Sequence, residues 1–142
     1  MRKFSIPDPY TPGLDVLIFS NNLGFISHHR SILLSIGFVP IIATTLKATL
    51  AVLRSTALEL VIVDEEAGVQ QTQRILERIR DDSPKVPVLV VSPSSDAELR
   101  RQALDLGAAV YLDRSALQDD VVQALLPDRP LRGDSLQGPQ RI

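Results

Sequence analysis

Five short apolar runs recur along this chain, at 15–19, 39–43, 58–63, 86–91 and 108–112, and they constrain its fold more than any other feature. They read Asp15-Val16-Leu17-Ile18-Phe19, Val39 to Ala43, Leu58-Glu59-Leu60-Val61-Ile62-Val63, Val86-Pro87-Val88-Leu89-Val90-Val91 and Ala108 to Leu112. Short runs rich in Val, Ile and Leu suit strands buried on both faces. Pro87 belongs at the start of its strand, where a missing N–H is tolerated.

Each run is followed by a segment of helical period. Leu23 to Ile36 places Ile26, Ile32, Leu33 and Ile36 on one side, and Gly37 stops it. Thr45 can cap a helix to about Arg54, with Leu46, Leu50 and Leu53 as its apolar stripe. Val69 to Arg80 turns Ile75, Leu76 and Ile79 inward, and Ser83-Pro84-Lys85 ends it in a turn. Ser95 or Asp96 caps a helix to Leu106, stopped by Gly107, and Leu117 to Leu126 is a last helix stopped at Pro127. Doubly buried strands separated by helices require a parallel sheet with right-handed crossovers. The fold class is therefore α/β: five βα units wound on both faces of a five-stranded parallel sheet.

Proline marks the ends. Pro7, Pro9 and Pro12 make residues 1–13 an irregular leader; Pro127, Pro130 and Pro139 make 127–142 a flexible tail. The folded domain is expected over 14–126. The tail's Arg132-Gly133-Asp134 is a chance match to an adhesion tripeptide.

Composition excludes several function classes. There are no cysteines, so disulfides, thiolate zinc sites and cysteine catalysis are out. A net charge of −2 and an aromatic fraction of 4% give neither a basic footprint nor a stacking platform for nucleic acid. No apolar run approaches the ~20 residues that span a bilayer, and the first residues lack a signal peptide's apolar stretch. A cytoplasmic protein without membrane contact is expected. The sequence holds no P-loop, no G-x-G-x-x-G after the first strand and no G-x-S-x-G elbow.

In open α/β sheets, ligands sit beyond the carboxyl ends of the strands. Here those ends carry Ser20-Asn21-Asn22, Asp64-Glu65-Glu66, Ser92-Pro93 and Asp113-Arg114-Ser115. An acid, a hydroxyl and a cation meeting on one rim are the makings of an anion or phosphoryl site.

Over residues 14–126 the ordered set of these features resembles the flavodoxin-like receiver domains of two-component response regulators. Asp64 follows a Leu-Val-Ile-Val strand, Ser92 ends Pro87-Val88-Leu89-Val90-Val91, and Leu106-Gly107-Ala108-Ala109-Val110-Tyr111-Leu112 approaches the fifth strand. Leu76-Glu77-Arg78-Ile79-Arg80 matches the end of the receiver's third helix. The resemblance implies that Asp64 accepts a phosphoryl group from a kinase histidine, with Mg²⁺ bound beside it. It implies that Ser92 bonds the acquired phosphate and that Tyr111 is the switching aromatic. It also implies partner binding or homodimerisation on the helix 4–strand 5–helix 5 face, through Leu99, Ala103, Tyr111, Leu117 and Val121.

Several positions depart from the family pattern. Ser20 and Asn21 stand where it has an acidic pair, Arg114 replaces its lysine, and Ser115 replaces the proline that follows. Glu65-Glu66-Ala67-Gly68 lacks its Met-Pro turn. Mg²⁺ wants carboxylates, so binding should be weak, with Asp64 as ligand and Glu66 as a reserve. Arg114 has a planar fork that can grip Asp64 with two bonds, so a standing Asp64–Arg114 pair is one reading, and an Arg114 turned to solvent is the other. Plainer readings accompany these: Asp64 as a cap for its loop, Tyr111 as a ring packed at the sheet edge, Glu65-Glu66 as a solvated acidic rim. His28-His29 reads as two exposed helix positions.

The expectation is an atypical, stand-alone receiver domain in phosphorelay signalling that acts by protein–protein interaction. Its Mg²⁺-dependent phosphorylation would be weakened or lost. The alternative is a working phosphoacceptor on Asp64 with a non-standard metal site. An enzyme is not expected, beyond self-phosphorylation on Asp64 from a kinase donor. A different α/β enzyme ranks last, for want of a catalytic pair.

Overall fold

The central strand pairs with one neighbour on each side, and each neighbour carries an outer strand in turn. The computed structural model describes residues 15–94 and 96–113. It contains β1 (Asp15–Phe19), α1 (Leu23–Ser35), β2 (Val39–Ala43), α2 (Leu46–Ser55) and β3 (Leu60–Asp64). A 3-10 turn (Glu65–Ala67), α3 (Val69–Asp82), β4 (Val88–Ser92), α4 (Ala97–Asp105) and β5 (Val110–Asp113) follow. The sheet order is β2-β1-β3-β4-β5 with every pair parallel, the doubly wound arrangement expected. The leader, the tail, the fifth helix predicted over 117–126, Arg114 and Ser115 lie outside the described residues.

Alternation along the strands divides the core in two. Leu17, Phe19, Val61, Val63, Val88, Val90 and Tyr111 pack on one face with Ile75, Leu76 and Ile79 of α3 and Ala103 of α4. Val16, Ile18, Leu60, Ile62, Leu89 and Val91 pack on the other with Phe25 and Leu33 of α1. All five residues of β3 and of β4 are buried, which is why those runs carry no polar alternation.

Three strands begin two residues later than their apolar runs suggest. Leu58 and Val86 are half-buried against the core without joining the ladder, and Ala108 is buried before β5 starts. Pro87 also stays outside β4, yet its carbonyl accepts from the Val61 N–H at 3.0 Å. Burial begins before pairing does, so hydrophobicity alone overstates the strands.

Helix α1 also differs from its predicted stripe. The buried residues are Phe25, His29 and Leu33, four apart, while Ile36 caps the helix and is 47% exposed. His28 is exposed but His29 is not, which corrects the reading of both as surface positions. The His29 ring lies 4.2 Å, centroid to centroid, from that of Phe25, and its Nδ1 is 3.0 Å from the Phe25 carbonyl. On the outermost strand β2, the Ala43 carbonyl accepts from Ser20 N at 3.2 Å and so faces β1. Backbone groups alternate sides along a strand, which turns the nitrogen of Pro40 to the outer edge, where it breaks no ladder bond.

Candidate functional site

Pairing sets the site. Phe19 of β1 lies opposite Val63 of β3, so the next residues, Ser20 and Asp64, fall side by side. Both are completely buried. The Ser20 hydroxyl donates to Asp64 Oδ2 at 2.7 Å, and the Glu66 N–H donates to Oδ1 at 3.1 Å. Asp64 thereby caps the 3-10 turn. Ser20 Oγ accepts in turn from Asn22 N at 3.0 Å, and Asn22 Oδ1 accepts from Phe25 N at 2.9 Å as the N-cap of α1. One chain of hydrogen bonds thus joins the start of α1, the end of β1, the end of β3 and the turn beyond it. A buried carboxylate needs such donors, because losing water without replacement costs several kcal/mol.

The donor set does not fit a divalent cation. Mg²⁺ demands oxygen ligands in near-octahedral geometry, commonly with one or two carboxylates. Here each oxygen of Asp64 already accepts a hydrogen bond, and Ser20 offers that carboxylate a proton where a ligand set would offer a second acid. Asn21 and Glu66 are exposed. Among the described residues no three acidic or histidine side chains gather as a metal cluster. Glu66 contributes its backbone N–H to the site as the capped donor of the turn.

Glu65 is the residue that sequence reading misplaced. It is 4% exposed and faces inward, not onto a solvated rim. Its Oε1 accepts from the Tyr111 hydroxyl at 2.6 Å. Tyr111 is itself 4% exposed, although β5 is an outer strand. Burial, then the Glu65 hydrogen bond, pushes the Tyr111 phenol up to about 12 from 10.0, against an opposing contribution from the Ser92 hydroxyl. A raised folded-state pKa means a stabilising contribution present below pH 10 and lost as pH rises through about 12. Absorbance titration of a Tyr10→Phe variant should therefore show Tyr111 ionising well above the ordinary range. Stability to urea should fall with pH across that window, and Tyr111→Phe should flatten the fall.

Ser92, at the end of β4, turns its hydroxyl into its own loop, donating to the Ser94 carbonyl at 2.6 Å and accepting from Ser94 N at 3.2 Å. Arg114, and with it the pair with Asp64, lies outside the described residues. The residues named for the partner face are mostly not surface residues where they are described. Ala103 and Tyr111 are buried, and Leu99 is half-buried against the core. The outer side of α4 instead carries Arg101 between Glu98 and Asp105, exposed ion pairs of small energetic weight. Leu117 and Val121 lie outside the described residues.

No protein-family model matches the sequence, and no curated protein does. Solved structures do. A response regulator from Thermotoga maritima superposes with a TM-score of 0.71 at 24% identity, over 83% of this chain and 96% of that one. The fold is that of a response-regulator receiver domain. An orphan response regulator of H. pylori shares this receiver fold at 19% identity and a TM-score of 0.70, over 83% of this chain and 98% of its own. A response regulator from Burkholderia pseudomallei, solved with a phosphorylated aspartic acid, calcium and citrate, matches at 21% identity and a TM-score of 0.72. That match covers 80% of this chain and 67% of the other. Within the receiver fold, this chain brings Ser20 and Asp64 into direct contact and sets the Glu65–Tyr111 pair beside them. No helix among the described residues is long and apolar enough to cross a membrane.

Proposed function

We propose that this chain is an atypical receiver domain in phosphorelay signalling, one that acts through contact with a signalling partner protein. In this reading its Mg²⁺-dependent aspartyl phosphorylation is weakened or lost. The Ser20–Asp64 hydrogen bond carries the argument. It puts a neutral hydroxyl donor where metal binding calls for a second acid, and it engages one of the two Asp64 oxygens, Oδ2. The test is an amide NMR titration with Mg²⁺, then with Mg²⁺ plus beryllofluoride, a mimic of an aspartyl phosphate. The expected result is a flat titration at Asp64, Ser92 and Tyr111. Saturable shifts centred on those residues would overturn it.

The second reading is a working acceptor on Asp64 with a histidine kinase as donor. It draws on Asp64 and Ser92, which end adjacent strands on one rim. It requires phosphoryl incorporation that Asp64→Asn abolishes.

A further inference from the structure

We propose that Glu65 is a latch: its carboxylate holds the Tyr111 ring inside the domain and ties β5 to the turn that follows Asp64. The inference deepens the reading of this chain as a receiver that signals without phosphate, and rests on it.

The geometry begins with an anomaly of placement. Tyr111 sits on an outer strand, where its hydroxyl could reach water, yet the ring is 4% exposed. A buried phenol needs a hydrogen-bond partner. Glutamate is almost never fully buried unless it is paired. Each of these two side chains supplies what the other lacks, at 2.6 Å and across 46 positions of sequence. Withdrawing Glu65 takes away the acceptor that the phenol meets at 2.6 Å, and withdrawing Tyr111 takes away the donor that a buried carboxylate needs.

The ring also has somewhere else to go. A hollow of about 250 Å³ lies beside it, lined by Ser94, Asp96, Ala97, Arg100, Tyr111 and Asp113. Space beside the ring is what a two-position element requires.

The latch is anchored at the acceptor-like carboxylate. Asp64 Oδ1 accepts from Glu66 N, and the turn closes with Gly68 N donating to the Glu65 carbonyl at 3.0 Å. Asp64, the turn, Glu65 and Tyr111 form a contiguous set of contacts, so a displacement at Asp64 carries to β5 through Glu65. In this chain the inward ring is held by a resident carboxylate, with no phosphoryl group needed to draw it in.

The test uses the full chain with Tyr10→Phe, which leaves Tyr111 as the sole tyrosine, labelled as 3-fluorotyrosine. The ¹⁹F shift difference between H₂O and D₂O reads solvent exposure of the ring. The latch predicts a small difference without Mg²⁺ or beryllofluoride. In Glu65→Ala the difference should rise severalfold, toward that of an exposed tyrosine. Glu65→Gln keeps an acceptor oxygen and should restore burial. Glu65→Leu, which keeps bulk without an acceptor, replaces Glu65→Ala if that variant does not fold. An exposed ring in the parent protein, or an unchanged ring in a folded variant lacking the acceptor, overturns the latch. Adding beryllofluoride to the same samples separates the two ideas. Amide shifts at Asp64 would overturn the phosphate-free reading, while the ¹⁹F result still decides the latch.

Discussion

Ser20→Asp should lower stability by about 2–4 kcal/mol without metal and make the protein respond to Mg²⁺, which the parent should not. The hydroxyl it replaces donates to Asp64 Oδ2 at 2.7 Å inside a fully buried pocket. The substitution exchanges a donor for a second carboxylate and sets two like charges in contact. At an effective dielectric of about 20, two unit charges 4 Å apart interact by roughly 4 kcal/mol, an upper figure once relaxation and proton uptake are allowed. A divalent cation offsets that repulsion and finds the paired acids it prefers. Binding to the folded state alone contributes about 2.7 kcal/mol when free Mg²⁺ is one hundred times its dissociation constant. Urea unfolding with and without Mg²⁺ measures both effects. If Ser20→Asp lowers stability but Mg²⁺ restores none of it, the loss of metal binding lies elsewhere than at position 20.

Asp64→Ala should destabilise the domain by about 2–4 kcal/mol, with Asp64→Asn intermediate. The sign is informative. Where several carboxylates crowd one pocket, deleting one relieves repulsion, and the domain gains stability. Here Asp64 receives the Ser20 hydroxyl and the Glu66 N–H, two donors that stabilise its charge. Its removal strands two donors, and hydrogen bonds to a charged acceptor are each worth about 1.5–3 kcal/mol. The asparagine amide keeps one acceptor oxygen, so it should retain part of that. The shift in urea midpoint at unchanged m-value reports the loss cleanly. A stabilised Asp64→Ala would mean that the pocket is electrostatically crowded after all.

The fold was legible because the strands bury both faces. Leu60 to Val63 and Val88 to Val91 admit no polar residue, and that monotony is itself the mark of a parallel sheet. The rim positions Ser20, Asp64 and Ser92 follow directly, since the chain must leave each strand at the same end. What the residues do to one another was less legible. Nothing in a linear reading pairs Glu65 with Tyr111, because the bond depends on strand order and on which way one side chain leaves a turn. An acidic doublet after a strand reads as solvated by default, and here one member goes in and the other out. His29 was within reach: Phe25, His29 and Leu33 recur every four residues, a stripe that the neighbouring His28 and the many isoleucines obscured.

Pro40 bears on how this domain can meet other proteins. Of the residues on β2 whose backbone groups face outward, Pro40 and Ile42, only Ile42 has an N–H to offer. A partner that binds by adding a strand needs a row of donors and acceptors to zip against. This margin of the sheet presents a gap instead, in the manner of strands protected against edge-to-edge polymerisation. Recognition on the β2 side is thereby left to side chains, so a β2-facing partner would be selected by surface shape and charge rather than by backbone templating.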